Sequence, residues 1–124
     1  MKNEIYHPLN LVDCECSINS IDYDATDLTI VLDRFDNNQT ITIRFKDVYA
    51  YSVTLEHFRI TEVMDGITSQ SQPLYEVENS AYLSEVMKTG MRVLYGTSLN
   101  VKHYMIKSTE HIIDILTSET YIIE

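Results

Sequence analysis

Over residues 27–56 the chain alternates apolar and polar side chains at a period of two, and that period restricts what this segment can become. Leu28, Ile30 and Leu32 alternate with polar or mixed residues, Asp36-Asn37-Asn38-Gln39 interrupts, and Ile41, Ile43 and Phe45 resume the pattern. A helix would scatter these apolar residues around its circumference, whereas a strand gathers them on one face. Asparagine tolerates the positive φ of a tight turn, so the spacing predicts a hairpin closed at Asn37-Asn38. In that register Leu32 lies opposite Ile43 and Ile30 opposite Phe45. The other face then carries Asp33 beside Thr42 and Thr29 beside Lys46. Tyr49, Tyr51, Val53 and Leu55 extend the alternation into a third strand, entered through a bend or bulge at Lys46-Asp47.

The flanking segments are less regular. Residues 10–23 carry Leu11, Cys14, Cys16, Ile18 and Ile21 without a clean period and read as one or two short strands. Residues 57–64 fit neither period, and a short helical turn competes there with a strand. Residues 65–73, with Gly66, Pro73 and a Ser/Gln run, form the clearest loop, and residues 74–77 are a short strand. Asn79-Ser80 offers a helix cap, followed by an apolar stripe of Leu83, Val86 and Met87 and a stop at Gly90. This predicts a helix over residues 80–89, roughly ten residues long.

Residues 101–107 and 110–116 form a second expected hairpin around Ser108-Thr109. Tyr104 then faces Ile113, Met105 faces Ile112, Ile106 faces His111, Lys107 faces Glu110, and His103 faces Asp114. The isoleucines Ile112, Ile113 and Ile115 favour a strand here over a helix. Tyr121-Ile122-Ile123 adds a short last strand. The expected architecture is a single α+β domain spanning residues 1–124. It is a mostly antiparallel sheet, curved or barrel-like, with one main helix packed against it and roughly six to eight strands.

Charge narrows the function classes. Nine Lys and Arg against 19 Asp and Glu give a formal charge of −10. Such a chain repels nucleic-acid phosphates and anionic membrane surfaces and attracts basic proteins. The sequence has no signal-peptide pattern at its amino terminus and nothing near the ~20 consecutive apolar residues of a membrane span, so a cytoplasmic location is expected. Nine tyrosines beside three phenylalanines and no tryptophan suit either a half-wet sheet or a contact surface, with Tyr49 and Tyr51 as candidate contact residues. Cys14 and Cys16 are too close for an unstrained disulfide and lack the second pair of a zinc site, so two reduced thiols are expected.

His103 with Asp114 is the sharpest candidate pair. A carboxylate beside an imidazole fixes its tautomer, an arrangement used in acid–base chemistry and around metals. Glu56, His57 and Glu62 lack the spacing of a metal-binding helix, and His7 is expected to be mobile. The chain has no Gly-X-Ser-X-Gly nucleophile motif, and Gly66, Gly90 and Gly96 are too scattered to cradle a phosphate. No metal or cofactor is implied, and no catalytic residue is assigned.

One wider pattern has a counterpart elsewhere. Leu28-Thr-Ile-Val-Leu, Ile43-Arg-Phe-Lys-Asp-Val, Glu56 at the end of the third strand, Tyr75-Glu-Val-Glu-Asn-Ser-Ala-Tyr-Leu, His103-Tyr-Met-Ile-Lys and Ile113-Asp-Ile-Leu occur in this order. The order resembles that of small acidic single-domain bacterial proteins of uncharacterised families, some of them similar to immunity proteins of polymorphic-toxin systems. The resemblance implies a small intracellular binding protein that neutralises a basic partner, and it transfers no site residues. Two other readings stand beside it: a structural or oligomerising subunit, and a small-molecule binder or enzyme centred on His103 and Asp114.

Overall fold

The computed structural model describes residues 4–56, 72–88 and 100–124. Nine strands and one helix lie within them: β1 (Ile5–Pro8), β2 (Cys16–Tyr23), β3 (Leu28–Arg34), β4 (Thr40–Phe45), β5 (Val48–Leu55), β6 (Leu74–Glu78), α1 (Ala81–Val86), β7 (Lys102–Lys107), β8 (His111–Thr117) and β9 (Tyr121–Ile123). The strands form two sheets, one ordered β1-β6-β7-β8-β5 and the other β2-β3-β4-β9. Every pairing is antiparallel.

The expectation of a sheet-dominated antiparallel fold therefore stands, but the single curved or barrel-like sheet gives way to two sheets, neither closed nor curled. The reason lies at Lys46-Asp47. Asp47 adopts φ 50°, the left-handed region, and turns the chain so that β5 leaves β4 and pairs with β8 instead. Asp47 is held in that turn by its backbone N–H, which donates to Asp27 Oδ1 at 3.1 Å.

One apolar core joins the two sheets. Leu28, Ile30, Leu32, Ile43 and Phe45 contribute from one side, and Leu74, Tyr104, Ile106, Ile113 and Ile115 from the other. Phe45 and Tyr104 meet across the gap with ring centroids 5.5 Å apart. A second cluster of Tyr6, Tyr75, Val77, Met105 and Ile112 lies on the opposite face of the five-stranded sheet. Burial there pushes the Tyr75 phenol up to about 12.

Both hairpins keep the expected faces but slip in register. In the first, Leu28 faces Phe45, Ile30 faces Ile43 and Leu32 faces Ile41. The Arg34 N–H donates to Gln39 O at 2.8 Å, so Phe35, Asp36, Asn37 and Asn38 form the turn, with Asn38 at φ 59°. In the second, Tyr104 faces Ile115, Ile106 faces Ile113, Met105 faces Asp114 and Lys107 faces Ile112, while His103 faces Leu116. Its turn is Thr109-Glu110, closed by Ser108 N–H to His111 O at 3.0 Å.

The helix is capped at Ser80 as expected, and its α-helical part, Ala81–Val86, has six residues, none of them fully buried. Met87 and Lys88 continue it as a wider π turn, and the expected end at Thr89 lies outside the described residues. His7, expected to be mobile, sits in β1 opposite Glu76, with Nε2 3.0 Å from Glu78 Oε1. The readings placed on residues 57–71, and those on Gly90 and Gly96, lie outside the described residues. Among the described residues no helix is long and apolar enough to cross a membrane.

Candidate functional site

Two places combine unusual side chains: a buried polar chain behind the five-stranded sheet, and an open apolar seam between the sheets. The first contains the predicted pair. Residues 103 and 114 are not directly opposite but diagonal on one face of β7 and β8, and His103 Nε2 lies 2.7 Å from Asp114 Oδ1. Both side chains are almost fully buried, at 1% and 3% exposure. The other ring nitrogen, Nδ1, lies 2.6 Å from Ser80 Oγ. Ser80 also caps α1, its Oγ accepting the Leu83 N–H at 2.9 Å. Tyr82 packs edge-on against His103 with centroids 5.6 Å apart. Burial raises the Tyr82 phenol above its ordinary range, and the charge of Asp114 adds to that against a Ser52 hydroxyl contact.

Ser80, His103 and Asp114 are the residue types of a nucleophilic triad, but their arrangement is that of a clasp. A hydrolytic serine bonds Nε2 while the carboxylate holds Nδ1; here the two nitrogens are exchanged. With Nε2–H donating to Asp114, Nδ1 accepts the Ser80 hydroxyl proton, and each group in the chain has a partner. An oxyanion needs free N–H donors, yet the first turn of α1 has committed three. Ala81 N–H donates to Glu4 Oε2 at 2.9 Å, Leu83 N–H to Ser80 Oγ, and Ser84 N–H to Ser80 O at 3.2 Å. Glu4 Oε1 also accepts the Tyr6 hydroxyl at 2.8 Å, so β1, α1, β7 and β8 are tied into one polar network. Such a network ties the helix to the sheet.

The second place arises from two bulges. In β2 the register shifts between Ile18 and Ser20, so Ile18 faces Leu32 while Ile21 faces Ile30 and Tyr23 faces Leu28. The extra residue puts Cys16, Ile18, Ile21 and Tyr23 on the core face and explains the lack of a clean period in this segment. In β5 the shift lies between Val48 and Ala50. Val48 reaches the core, Tyr49 is displaced so that its hydroxyl lies 3.1 Å from Ser118 Oγ, and Tyr51 and Val53 face inward opposite Ile115 and Ile113.

Among the described strands β2 and β5 end their respective sheets, and the apolar faces they turn inward are incompletely covered. Tyr23, Tyr51, Val53 and Leu55 are 42%, 37%, 43% and 44% exposed. Tyr23 and Tyr51 touch at 5.2 Å between centroids. Beside them runs a groove of about 170 Å³, lined by Ile18, Ile21, Val53, Ser108, Thr109 and His111 among others.

The predicted site residues therefore fall in different places. His103 and Asp114 come together, while Tyr51 lies on the other face of the same sheet and Tyr49 at a bulge near its end. Sequence reasoning gave Ser80 a capping role alone, because its bond to His103 spans 23 residues and no local pattern signals it. Tyr23 lay in a segment whose period the bulge had erased. Cys14 and Cys16 are both buried and free, and burial, reinforced by Cys14, pushes the Cys16 thiol up to about 12. Among the described residues no group of three or more His, Cys, Asp or Glu side chains could hold a metal ion. In comparisons with protein-family models, curated proteins and solved structures, nothing matches this chain.

Proposed function

We propose that this chain is a protein-binding module of immunity type, engaging a basic partner along the seam between β2 and β5. The observation that carries this reading is the exposed apolar strip of Tyr23, Tyr51, Val53 and Leu55 on a chain of net charge −10. Aromatic and aliphatic anchors in a desolvated centre supply most of an interface's energy, while surrounding charge steers encounter and selects the partner's sign. Occlusion of a cationic cleft by this face is the mechanism. Self-association along the same strip is opposed by the like charge of two copies.

The test compares the wild-type chain with Val53→Ser and Leu55→Ser, which remove apolar anchors without changing charge. Each is used as bait in lysate of the native cell at low and moderate salt. The wild-type chain should retain a basic protein, and both variants should lose it while keeping the wild-type melting temperature. Retention of no basic protein at either salt, or equal retention by all three baits, overturns the reading. Light scattering showing dimers that the two substitutions dissolve would replace it with the oligomerising subunit.

A further inference from the structure

Among the described strands four form sheet edges: β1 and β5 in one sheet, β2 and β9 in the other. Three of these edges are short or broken. β1 has four residues and closes on Pro8, β9 has three, and β2 is bulged between Ile18 and Ser20 and carries Asp22. β5 differs. After its bulge at Tyr49 it pairs with β8 without interruption from Ala50 to Leu55, and this stretch has no charged residue and no proline. Edge strands refuse further pairing through charge, proline, bulges or short length, so a regular uncharged edge without them is a template for another strand.

Two hydrogen bonds fix which groups that edge offers. Ser108 N–H donates to His111 O at 3.0 Å, and Glu56 N–H donates to Glu110 O at 2.8 Å, continuing the register of Leu55 opposite His111. Backbone groups alternate in direction along an antiparallel strand, so Ser52 and Thr54 bond to β8 while the N–H and C=O groups of Tyr51, Val53 and Leu55 point away from it. The side chains of Tyr51 and Val53 lie on the face shared with Ile115 and Ile113, and Val53 borders the groove against Ile18 and Ile21 of β2. We infer that this edge accepts an extended segment of the partner as an added antiparallel strand, paired with Tyr51, Val53 and Leu55. Backbone bonds then supply affinity, and the groove selects a segment with apolar side chains at alternate positions. Glu56 and Glu110 stand together at the end of β5, and with the net charge of −10 they favour a segment carrying basic residues over a second copy of this chain. This mode of binding rests on the partner-binding reading for its occupant and adds how that partner is held.

The probe is an acetylated and amidated heptapeptide alternating lysine and valine, titrated into the full chain, with hydrogen exchange read by NMR one amide at a time. In the free chain Tyr51, Val53 and Leu55 should exchange fast beside slowly exchanging Ser52 and Thr54, and saturating peptide should slow those three about tenfold or more. Valines opposite Tyr51, Val53 and Leu55 turn their own N–H groups onto β5, so N-methylation of the valine amides should abolish binding while N-methylation of the lysine amides spares it. Glutamate in place of lysine should weaken binding at least about tenfold at low salt. Val53→Pro, which removes an outward N–H and no bond to β8, should abolish binding as well, and the two methylated peptides decide the matter if that variant fails to fold. Exchange unchanged by peptide, slow exchange of the three amides in the dilute free chain, or equal binding of the two methylated peptides overturns strand addition. Equal binding of the glutamate peptide overturns the choice of a basic segment. Protection of the same amides that grows with the concentration of the free chain assigns the edge to a second copy and overturns the proposal. Failure of the peptide alone leaves the seam reading intact, because the bait experiment reads the Val53 and Leu55 side chains. Retention of no basic protein by the bait defeats that reading while strand addition to β5 still stands on the peptide.

Discussion

His103 has both ring nitrogens committed, to Asp114 and to Ser80, and this commitment makes the polar chain a structural element. Removing one member of a buried pair leaves the other desolvated and unpaired, so Asp114→Ala should destabilise the fold by about 3–5 kcal/mol. Ser80→Ala loses the helix cap as well as the histidine's partner and should cost about 1–2 kcal/mol. Urea denaturation followed by circular dichroism measures both, and an Asp114→Ala variant as stable as the wild type would refute the clasp. Cys16 gives an independent check on burial at the residue scale. Its thiol, 1% exposed and raised to about 12, is protonated throughout the neutral range. A thiol-specific reagent at pH 8 should therefore leave Cys16 unlabelled in the folded chain and label it rapidly in denaturant. Rapid labelling without denaturant would show that the amino-terminal end of β2 opens readily.

At the scale of elements, alternation predicted faces well and register poorly, for one physical reason. A slip of one residue turns every side chain of a strand to the wrong face, but a slip of two restores every face. Leu32 opposite Ile41 buries the same residues as Leu32 opposite Ile43, so periodicity cannot separate the two registers. Turn chemistry decides between them. Here Asp36 pairs with Arg34 at 2.6 Å, and Asn37 Oδ1 accepts the Gln39 N–H at 3.0 Å, so the asparagine pair belongs to a longer turn than it suggests in isolation. The same slip left the His103–Asp114 pair legible, because diagonal neighbours on one face still reach each other. Bulges were the harder case: one inserted residue at Asn19 hid β2, and one at Tyr49 separated Tyr49 from Tyr51.

The β2–β3 connection yields a pH prediction of its own. Asp24 Oδ1 accepts the Asp27 N–H at 2.7 Å, with the Thr26 N–H and Thr26 hydroxyl each at 3.0 Å, and these donors hold its carboxyl below the ordinary range. A depressed folded-state value means that the stabilisation is present above the unfolded value of ~3.9 and is lost as pH falls through the folded one. Asp24→Ala should accordingly lower the melting temperature at pH 7, and the difference should shrink towards pH 2. A difference that stays constant across this range would show that the carboxylate's charge contributes nothing to the turn.

For the whole molecule, net charge and the exposed seam make separable contributions to association. The field of a −10 chain extends about 30 Å at 0.01 M salt and about 8 Å at 0.15 M, so it acts on the approach of a basic partner. The apolar strip acts only after contact, because burial of side chains such as Val53 and Leu55 is short-ranged. Raising salt between these limits should therefore slow association at least about tenfold and alter dissociation much less. Leu55→Ser should do the reverse, speeding dissociation while leaving the salt dependence of association unchanged, since no charge is altered. Surface-immobilised wild-type and Leu55→Ser chains, with the retained basic protein as analyte, separate the two rates. If salt accelerates dissociation and the substitution slows association instead, the carboxylates lie in the contact and the seam lies outside it. The interface would then have to move from the β2–β5 edge to an acidic face elsewhere on the two sheets.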